Sequence, residues 1–336
     1  MMIAKSVRKL KGYVPGEQPK SREVVKLNTN ENPYPPSPKC AEVLAKFDLD
    51  NLRRYPDPDC TELKKALAEL NGTTPEHVFV GNGSDEILAL AARAFVENDE
   101  EIGSLDPSYS LYKTLADIRN VPWKGNELGG KVALFLWTNP NAPTGAWAPP
   151  EFVAKAAKSF KGVMIVDEAY ADFSKGNCMH LATAKNNRNI IVMRTFSKSF
   201  SLAGLRVGYC VGPKALIEAL TKVKDSYNVD AIAQRVALAA AKDIGWMRRN
   251  VEKVVATREW TRKELEKLGY DVAPSESNFL FARPPRGRKA GDVFQALRAK
   301  NIFVRWWPAK NVRDFIRITI GTDAQMAILL EALKAQ

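Results

Sequence analysis

Short apolar segments alternate with helical segments along the first 245 residues of this 336-residue chain. The apolar runs, each of strand length, occupy residues 78–80, 102–105, 132–137, 163–166, 190–193 and 207–211. Amphipathic stretches lie between them, for example at residues 62–70, 85–95 and 151–159. Buried strands interleaved with amphipathic helices predict an α/β fold, in which helices cover both faces of a mainly parallel sheet.

Beyond residue 245 the order of the elements changes. The sequence predicts a long charged helix over 246–268, separate strands over 278–282, 302–305 and 315–319, and a final helix over 323–335. This order is typical of a smaller α+β domain. The opening segment leads into a proline-rich stretch and predicts an extended arm that packs on the small domain or reaches a neighbouring subunit. We therefore predict an arm at 1–30, a large domain at 31–245 and a small domain at 246–336.

Composition narrows the class of protein. Apolar residues make up 45% of the chain, enough for a large core, but no window reaches the roughly 18 uninterrupted apolar residues of a membrane span. The first ten residues lack the apolar stretch of a signal peptide. The four cysteines are far apart in sequence, so we expect reduced, mostly buried thiols rather than a zinc site or disulfides. These features predict a soluble cytoplasmic protein with no membrane partner.

Histidine content and charge argue against two further classes. The two histidines, His77 and His180, have no other metal-ligand residue at helical or hairpin spacing, so we expect no metal site. The net charge is +12, but lysine and arginine are interspersed with acidic residues and form no long basic run. We therefore expect no nucleic-acid partner, and a mild attraction for anionic small molecules instead.

Lys198 stands in a loop of small hydroxyl residues, after the strand-like run at 190–194. A lysine in this setting can form a Schiff base with a carbonyl compound. Ser197 adds a short hydroxyl group and Arg206 a fixed cation, and both suit an anionic phosphate. Each feature alone is typical of an ordinary solvated turn, so the prediction of a site depends on the combination with the motifs below.

Asp167 ends the buried run at 162–166, and Tyr170 follows three residues later. A carboxylate at the end of a buried strand can hold a proton on the nitrogen of a heteroaromatic ring, and a phenol can stabilise an oxygen anion on the same ring. Lysine, carboxylate, phenol and arginine are the groups needed to hold pyridoxal phosphate, so we predict this cofactor. Lys198, Asp167 and Tyr170 are the predicted catalytic residues.

A glycine-rich turn at 81–86 (Gly-Asn-Gly-Ser-Asp-Glu) joins a predicted strand to a predicted helix. Around Gly83, Ser84 and Asp85 the backbone amides at the helix start are free to bind an anion, although this sequence is also typical of an ordinary helix cap. Tyr109 comes just after another strand, where its ring can stack on the cofactor. We assign these four residues to the cofactor site.

Together the motifs resemble fold type I pyridoxal-phosphate-dependent aminotransferases, and among them the histidinol-phosphate aminotransferase family. The similarity covers nearly the whole chain. The family-like segments are residues 10–16 (Leu-Lys-Gly-Tyr-Val-Pro-Gly), 27–34 (Leu-Asn-Thr-Asn-Glu-Asn-Pro-Tyr), 54–57 (Arg-Tyr-Pro-Asp), 225–230 (Asp-Ser-Tyr-Asn-Val-Asp) and 315–322 (Phe-Ile-Arg-Ile-Thr-Ile-Gly-Thr). The resemblance implies transamination between a phosphorylated amine, histidinol phosphate, and a 2-oxo acid, 2-oxoglutarate, in histidine biosynthesis.

The resemblance also implies roles for single residues. Lys198 matches the residue that carries the cofactor and moves the proton during transamination. The positions that match cofactor contacts are Tyr109, Asp167, Tyr170, Ser197 and Arg206. Tyr55 matches a residue that reaches the cofactor phosphate of the neighbouring subunit, which implies a homodimer with shared active sites. Arg317 matches the arginine that binds the substrate anion, and Arg305 and Tyr13 match positions close to the substrate.

One position departs from the family pattern. The family commonly has an asparagine immediately before Pro-Thr-Gly, in contact with the ring oxygen of the cofactor, whereas this chain has Ala142 in the loop at 139–145 (Asn-Pro-Asn-Ala-Pro-Thr-Gly). Either Asn141 or Asn139 takes over this contact, or Tyr170 serves alone. We assign Asn141 to the cofactor site.

Other functions remain as alternatives. An aromatic amino acid aminotransferase would use Arg317 on a substrate carboxylate, and a threonine-phosphate decarboxylase-like enzyme would share the cofactor. The segment Asp-Ser-Tyr-Asn at 225–228 resembles the histidinol-phosphate branch more than the decarboxylases. A basic nucleic-acid-binding protein is the alternative outside the enzymes, and the dispersed positive charge argues against it.

Overall fold

The strands and helices follow the predicted alternation. The computed structural model describes residues 2–3, 5–10, 12–19, 21 and 23–335. Its strands are β1 (Val25–Lys26), β2 (Val78–Gly81), β3 (Glu101–Ser104), β4 (Trp123–Gly125), β5 (Val132–Thr138), β6 (Val163–Asp167), β7 (Ile190–Thr195), β8 (Gly208–Val211), β9 (Asp271–Val272), β10 (Phe279–Arg283), β11 (Ile302–Phe303) and β12 (Ile316–Thr319). Its α-helices are α1 (Lys5–Lys9), α2 (Pro38–Ala45), α3 (Thr61–Leu70), α4 (Ser84–Ala94), α5 (Leu111–Arg119), α6 (Pro150–Ser159), α7 (Met179–Ala182), α8 (Lys214–Val223), α9 (Ala231–Ala241), α10 (Ile244–Lys267), α11 (Ala290–Ala299) and α12 (Asp323–Lys334).

Within the described residues, a seven-stranded sheet in the order β2-β8-β7-β6-β5-β3-β4 forms the centre of the molecule. The pairs from β7 to β4 are parallel, whereas β8 runs antiparallel to both β7 and β2. The prediction of an α/β fold with a mainly parallel sheet is therefore confirmed. The carboxyl ends of β5, β6 and β7 lie at one edge, where open α/β sheets generally bind ligands.

The central sheet separates two apolar cores. Along β5, Phe135 and Trp137 pack into one core, while Leu134 and Leu136 pack into the other. Successive side chains of a strand point to opposite faces, so a strand with helices on both sides has to be apolar at nearly every position. Burial of each large side chain contributes roughly 1.5 to 3 kcal/mol, which holds the strand ends in fixed positions.

A separate three-stranded antiparallel sheet, in the order β12-β10-β9, lies in the C-terminal part of the chain. The end of the predicted arm joins this region, because β1 pairs in parallel with β11 and the amide of Leu27 donates to the carbonyl of Phe303 at 2.7 Å. The arm thus packs on the C-terminal region of its own chain. The division into an arm, a large domain and a small domain stays a prediction.

Some elements differ from the sequence prediction. The strand predicted over 302–305 is shortened to β11, and Arg305 instead forms an isolated bridge with Arg317. Strand β4 was not predicted, because its three residues are only partly buried and lack an apolar pattern. In the described ranges no helix combines the length and the apolar character needed to cross a membrane.

Candidate active site

A cavity of about 560 Å³ opens at the carboxyl edge of the central sheet. Its wall is built from the loops after β2, β3, β5, β6 and β7, from the arm and from the C-terminal region. The predicted site residues that line it are Tyr13, Ser84, Asp85, Tyr109, Asp167, Tyr170, Ser197, Lys198, Arg206, Arg305 and Arg317. The fold therefore brings together residues that are up to 304 positions apart, from Tyr13 to Arg317.

Lys198 presents its amine to the inside of the cavity. Its Nζ donates to the backbone carbonyl of Thr29 at 3.1 Å and lies 5.8 Å from the ring centre of Tyr170. Burial, followed by the positive charge of Arg317, lowers the pKa of Lys198 to about 8. A lysine with this pKa has a larger neutral, nucleophilic fraction at physiological pH than an exposed lysine.

Partly buried ion pairs connect the strand before Lys198 to the residues that follow β6. Arg194 in β7 contacts Glu168 at 2.8 Å and Asp172 at 3.2 Å. The hydroxyl group of Ser199 donates to the other carboxylate oxygen of Asp172. Because a buried charge is costly without its partner, this network specifies the position of the loop.

Asp167 ends β6 at the floor of the cavity and is almost completely buried. Its Oδ2 accepts from the hydroxyl group of Tyr112 at 2.7 Å, and its Oδ1 accepts from the amide of Ala169 at 3.1 Å. Burial raises the pKa of Asp167 to about 6, although both hydrogen bonds act in the opposite direction. The carboxyl group is therefore poised to gain or lose a proton near neutral pH.

Tyr170 also lies in the wall of the cavity, and its hydroxyl oxygen accepts from the side-chain amide of Asn30 at 2.9 Å. Asn30 is held in turn by Thr319, which donates to its Oδ1 at 3.0 Å. Burial raises the pKa of Tyr170, so the phenol stays protonated. Because Asn30 is the donor to its oxygen, the hydrogen of Tyr170 remains available to an acceptor in the cavity.

The start of α4 and the guanidinium group of Arg206 form one side of the cavity. Nη2 of Arg206 lies 3.7 Å from Asp85, and Nη1 donates to Ser197 at 3.4 Å. Gly83 precedes the helix with φ of +81°, a conformation that favours glycine. Free amides at a helix start and a nearby arginine are a typical binding site for an anion such as phosphate.

Tyr109 stands beside this anion site. Its hydroxyl group donates weakly to Asp85 at 3.4 Å, and its ring makes an edge contact with Tyr13, with ring centres 5.6 Å apart. Burial raises the pKa of Tyr109, so it is neutral at physiological pH. Tyr13 itself is 40% exposed, at the mouth of the cavity.

Two arginines approach the cavity from the C-terminal region. Arg317 donates to the carbonyl of Asn28 at 2.9 Å, but its buried Nε has no hydrogen-bond partner within the described part of the chain. Arg305 donates to the carbonyls of Val14 and Pro15 in the arm. Burial lowers the pKa of both arginines. A buried guanidinium group without a carboxylate partner favours the binding of an anionic ligand.

Three predicted residues stand outside the wall of the cavity. Gly83 lies next to Arg206, so close that a Cβ atom at this position would be 2.5 Å from Nη2. Asn141 is buried in its loop, where its amide nitrogen donates to Pro107 and Thr144, and the wall at this point consists of Ala142 and Pro143. Tyr55 is 80% exposed and stacks on Tyr227, with ring centres 4.3 Å apart. The assignment of these three residues to the cofactor site stays a prediction, as do the roles of the residues that line the cavity.

Sequence reasoning missed several residues of the site. Asn30 lies in the Asn-rich segment 27–34, and its contact with Tyr170 was not predicted. Tyr112 stands three residues after Tyr109, near the start of α5, and this proximity was the available signal for its contact with Asp167. Trp307 also lines the cavity, with the guanidinium groups of Arg305 and Arg317 at 5.2 and 5.1 Å from its ring centre. Trp307 stands two residues after Arg305, and this spacing did not indicate that its ring lines the cavity.

Comparisons with known proteins agree with this geometry. The family model described as aminotransferase class I and II matches residues 22–333. The chain is 44% identical to histidinol-phosphate aminotransferase of Chromohalobacter salexigens, over 98% of this chain and 97% of that protein. It is 42% identical to histidinol-phosphate aminotransferase 1 of Nostoc sp., over 98% of this chain and 96% of that protein.

Solved structures show the same fold. The crystal structure of histidinol-phosphate aminotransferase from Sinorhizobium meliloti, in complex with pyridoxal-5'-phosphate, superposes with a TM-score of 0.89. The match covers 99% of this chain and 98% of that chain at 22% identity. Taken with the sequence matches, the chain belongs to the class I and II aminotransferases and, within them, to the histidinol-phosphate aminotransferase family.

Proposed function

We propose that this protein is a pyridoxal-phosphate-dependent aminotransferase that exchanges the amino group between histidinol phosphate and 2-oxoglutarate in histidine biosynthesis. The observation that carries the proposal is the lowered pKa of Lys198 in a cavity that also holds Asp167 and an anion site at the start of α4. The choice of substrate is supported by the relatives at 42 to 44% identity, which are named for histidinol phosphate.

The residues present fit this cofactor. A Cβ atom on Gly83 would lie 2.5 Å from Nη2 of Arg206, and one on Gly208 would lie 2.6 Å from the amide nitrogen of Ser84. These two glycines allow the helix start and the guanidinium group to come together around a phosphate. Asp167 at the opposite end suits a protonated ring nitrogen, and Lys198 between them suits a carbonyl carbon.

Pyridoxal phosphate bound here supplies an electron sink for the negative charge that develops on the reacting carbon. Lys198 would hold the cofactor covalently, and its Nζ would accept and return a proton once it is released. Because its pKa is about 8, the neutral fraction of its amine grows as the pH rises towards 8. Asp167 would hold the proton on the ring nitrogen, and Tyr170 would donate to the oxygen atom on the ring.

The second anion site supports a phosphorylated substrate. After Arg206 and the start of α4 are used for the cofactor phosphate, Arg305 and Arg317 remain for the substrate, with Tyr13 beside them. A phosphate dianion can engage two guanidinium groups, whereas one bidentate arginine is enough for a carboxylate. This surplus of positive charge favours histidinol phosphate over an aromatic amino acid.

The protein acts, in this proposal, as a cytoplasmic homodimer with shared active sites. The exposed side chains of Leu44, Leu49, Leu52 and Tyr55 are large and apolar, which is typical of a surface that a second subunit covers. Tyr55 would then reach the cofactor phosphate of the neighbouring subunit. The four cysteines are buried and free, which suits the reducing cytoplasm.

Borohydride reduction followed by peptide mapping tests the chemistry of the site. We expect the purified protein to absorb visible light, to lose this absorption on reduction, and to carry the reduced cofactor on Lys198. Lys198→Ala should keep the fold and lose both the visible band and transamination. Labelling of a different lysine, or a colourless protein that fails to take up added pyridoxal phosphate, would show that the proposal is wrong.

A further inference from the structure

A continuous row of oxygen atoms runs from Asp167 to the loop at 139–145. Oδ2 of Asp167 lies 2.7 Å from the hydroxyl oxygen of Tyr112, which lies 2.6 Å from Oγ1 of Thr138. Thr138 lies 3.1 Å from Oγ of Ser108, and Ser108 lies 2.9 Å from Oδ1 of Asn141. We call these atoms of Asp167, Tyr112, Thr138, Ser108 and Asn141 the hydroxyl chain.

The far end of the hydroxyl chain can only accept hydrogen bonds. The amide nitrogen of Asn141 donates to the carbonyl of Pro107 at 3.0 Å and to Thr144 at 2.9 Å, so its Oδ1 faces Ser108. Rotating the amide by half a turn would set Oδ1 against the carbonyl oxygen of Pro107. When Asp167 is ionised, its Oδ2, at the other end of the hydroxyl chain, can also only accept hydrogen bonds.

The number of protons decides whether every contact of the hydroxyl chain can be a hydrogen bond. The hydroxyl chain has four oxygen-to-oxygen contacts, and each requires one proton. Tyr112, Thr138 and Ser108 supply one proton each, which leaves one contact unfilled if Asp167 is ionised. A proton on Asp167 fills the fourth contact, and every hydroxyl group then donates in the direction of Asn141.

We propose that Tyr112 is a positioning residue for Asp167 and that the hydroxyl chain couples ionisation of this carboxyl group to the hydrogen bond between Thr138 and Ser108. In the ionised state Tyr112 donates to the carboxylate, because a charge-assisted hydrogen bond is the strongest one available. The unfilled contact then falls between Thr138 and Ser108, which at 3.1 Å is the longest of the four.

The inference rests on the proposed function in one respect, namely that Asp167 meets the ring nitrogen of the cofactor. A cofactor whose ring nitrogen takes up the proton of Asp167 would leave this carboxyl group ionised, and the protons of Tyr112 and Thr138 would then point towards Asp167. The contact between Thr138 and Ser108 would then lose its proton, whereas Ser108 would keep donating to Asn141. The loop after β3, whose Ser108 lines the cavity, would in this way respond to the arrival of the cofactor.

Ionisable groups from several elements act on Asp167. Asp85 at the start of α4 and the adjacent Glu168 are acidic and favour the protonated form, as does burial. Tyr112 from α5 favours the ionised form by its hydrogen bond, and Tyr170 lies on the same cavity wall. Glu168 is itself paired with Arg194 at 2.8 Å, which limits its effect.

Two substitutions should move the pKa of Asp167 in opposite directions. Tyr112→Phe removes the donor to the carboxylate, so the pKa should rise by about one pH unit, the size of one hydrogen bond to a charged group. Ser108→Ala leaves two contacts, Asp167–Tyr112 and Tyr112–Thr138, and two hydroxyl protons to fill them. Every contact is then filled when Asp167 is ionised, so the pKa of Asp167 should fall. A merely structural role for Ser108 predicts no such fall.

The measurement is a carbon-13 NMR titration of the cofactor-free protein, labelled at the aspartate carboxyl carbons. Asp167→Asn assigns the signal. Tyr209→Phe is the matched control, since Tyr209 is also a fully buried tyrosine, lies in β8 of the central sheet, and is outside the hydroxyl chain. It should leave the pKa of Asp167 unchanged.

Shifts of the same sign for Tyr112→Phe and Ser108→Ala, or no shift in either, would overturn the proposal. If Tyr112→Phe fails to fold, Thr138→Val takes its place beside Ser108→Ala. Thr138→Val leaves one contact at this end of the hydroxyl chain, between Tyr112 and Asp167, and one proton to fill it. For this substitute pair, therefore, both variants should lower the pKa of Asp167. Because the titrations use the cofactor-free protein, they stand or fall independently of any transamination assay.

Discussion

Single residues of the site show a conflict between burial and charge. Asp167 and Lys198 are both displaced from their ordinary pKa values by burial, upward for the acid and downward for the base. Both shifts bring the groups closer to physiological pH, where they can exchange protons during a reaction. The arrangement costs stability in the cofactor-free protein, because a buried carboxylate is worse solvated than an exposed one.

Asp167→Asn should separate this cost from function. The folded pKa of about 6 exceeds the ordinary value of 3.8, so the fold favours the protonated acid, and this stabilisation is lost as the pH rises from about 4 to about 6. Asp167→Asn has no carboxyl group to ionise, so its free energy of unfolding does not fall in this way. Without cofactor, its stability advantage over the wild type should therefore grow by about 1 to 2 kcal/mol between pH 5 and pH 7.5.

Urea unfolding of both cofactor-free proteins at the two pH values measures this difference. The same variant should still bind pyridoxal phosphate, through Ser84, Ser197 and Arg206, but transaminate about ten- to a hundredfold more slowly. An advantage that does not change with pH would contradict the raised pKa. Near-normal turnover would contradict the role of the carboxylate at the ring nitrogen.

Sequence reasoning reached the charged and aromatic residues of the site more easily than their orientation. Asp167 ends β6 and Lys198 follows its parallel neighbour β7, so the alternation of elements is enough to place both at the same edge of the sheet. Arg206 reaches that edge because it precedes β8, which runs antiparallel to β7. The Asn141 side chain points into its loop because it hydrogen-bonds to Pro107 and Ser108, which lie more than 30 positions away in the sequence. No local pattern in the sequence carries such information.

At the scale of elements, the start of α4 is the feature that shapes the anion site. Strand β8 begins at Gly208, which pairs with Gly81 at the end of β2. The absence of a side chain at Gly208 lets the backbone of Ser84 approach closely. The sequence predicted this helix start from its glycines and its Ser-Asp-Glu cap, but the close approach of Gly208 requires the antiparallel pairing of β8 with β2.

Gly208→Ala should therefore weaken cofactor binding. The new Cβ would lie 2.6 Å from the amide nitrogen of Ser84 and 2.8 Å from the carbonyl carbon of Gly83, so the helix start has to move. A strain of about 1 to 3 kcal/mol in the cofactor-bound state should raise the dissociation constant for pyridoxal phosphate about five- to a hundredfold. Fluorescence titration of the cofactor-free protein with pyridoxal phosphate measures this dissociation constant.

Gly204→Ala is the matched control for this change. A Cβ atom at Gly204 would meet no atom of the described residues within 4 Å, and the residue lies only four positions from Gly208. Its cofactor affinity should equal that of the wild type. Equal affinities for the wild type and both variants would mean that the close approach at Gly208 does not shape the phosphate site.

At the scale of the whole molecule, the proposed dimer makes each active site depend on two chains. Tyr55 is 80% exposed in the single chain and stacks on Tyr227, away from the cavity of its own chain. A residue with a cofactor role in that position requires a second subunit. The sequence indicated this only through the family resemblance, because an interface leaves no periodic pattern of its own.

Hybrid dimers of Lys198→Ala and Tyr55→Phe chains test the shared site. Tyr55→Phe alone should raise the dissociation constant of the cofactor about tenfold. If Tyr55 serves the neighbouring subunit, the hybrid contains one fully intact site, with wild-type affinity and half the wild-type number of sites. If Tyr55 serves its own subunit, every Lys198-bearing site in the hybrid binds weakly. A monomeric protein in solution would also contradict the proposal.

The most direct test of the central claim is a half-reaction followed by absorbance. The cofactor-loaded protein is mixed with histidinol phosphate, phenylalanine or threonine phosphate, without an oxo acid. We predict that histidinol phosphate removes the visible band most efficiently, that 2-oxoglutarate restores it, and that Arg305→Ala lowers the efficiency about ten- to a hundredfold for histidinol phosphate but less for phenylalanine. A faster reaction with phenylalanine, and equal losses for both substrates in Arg305→Ala, would contradict the account.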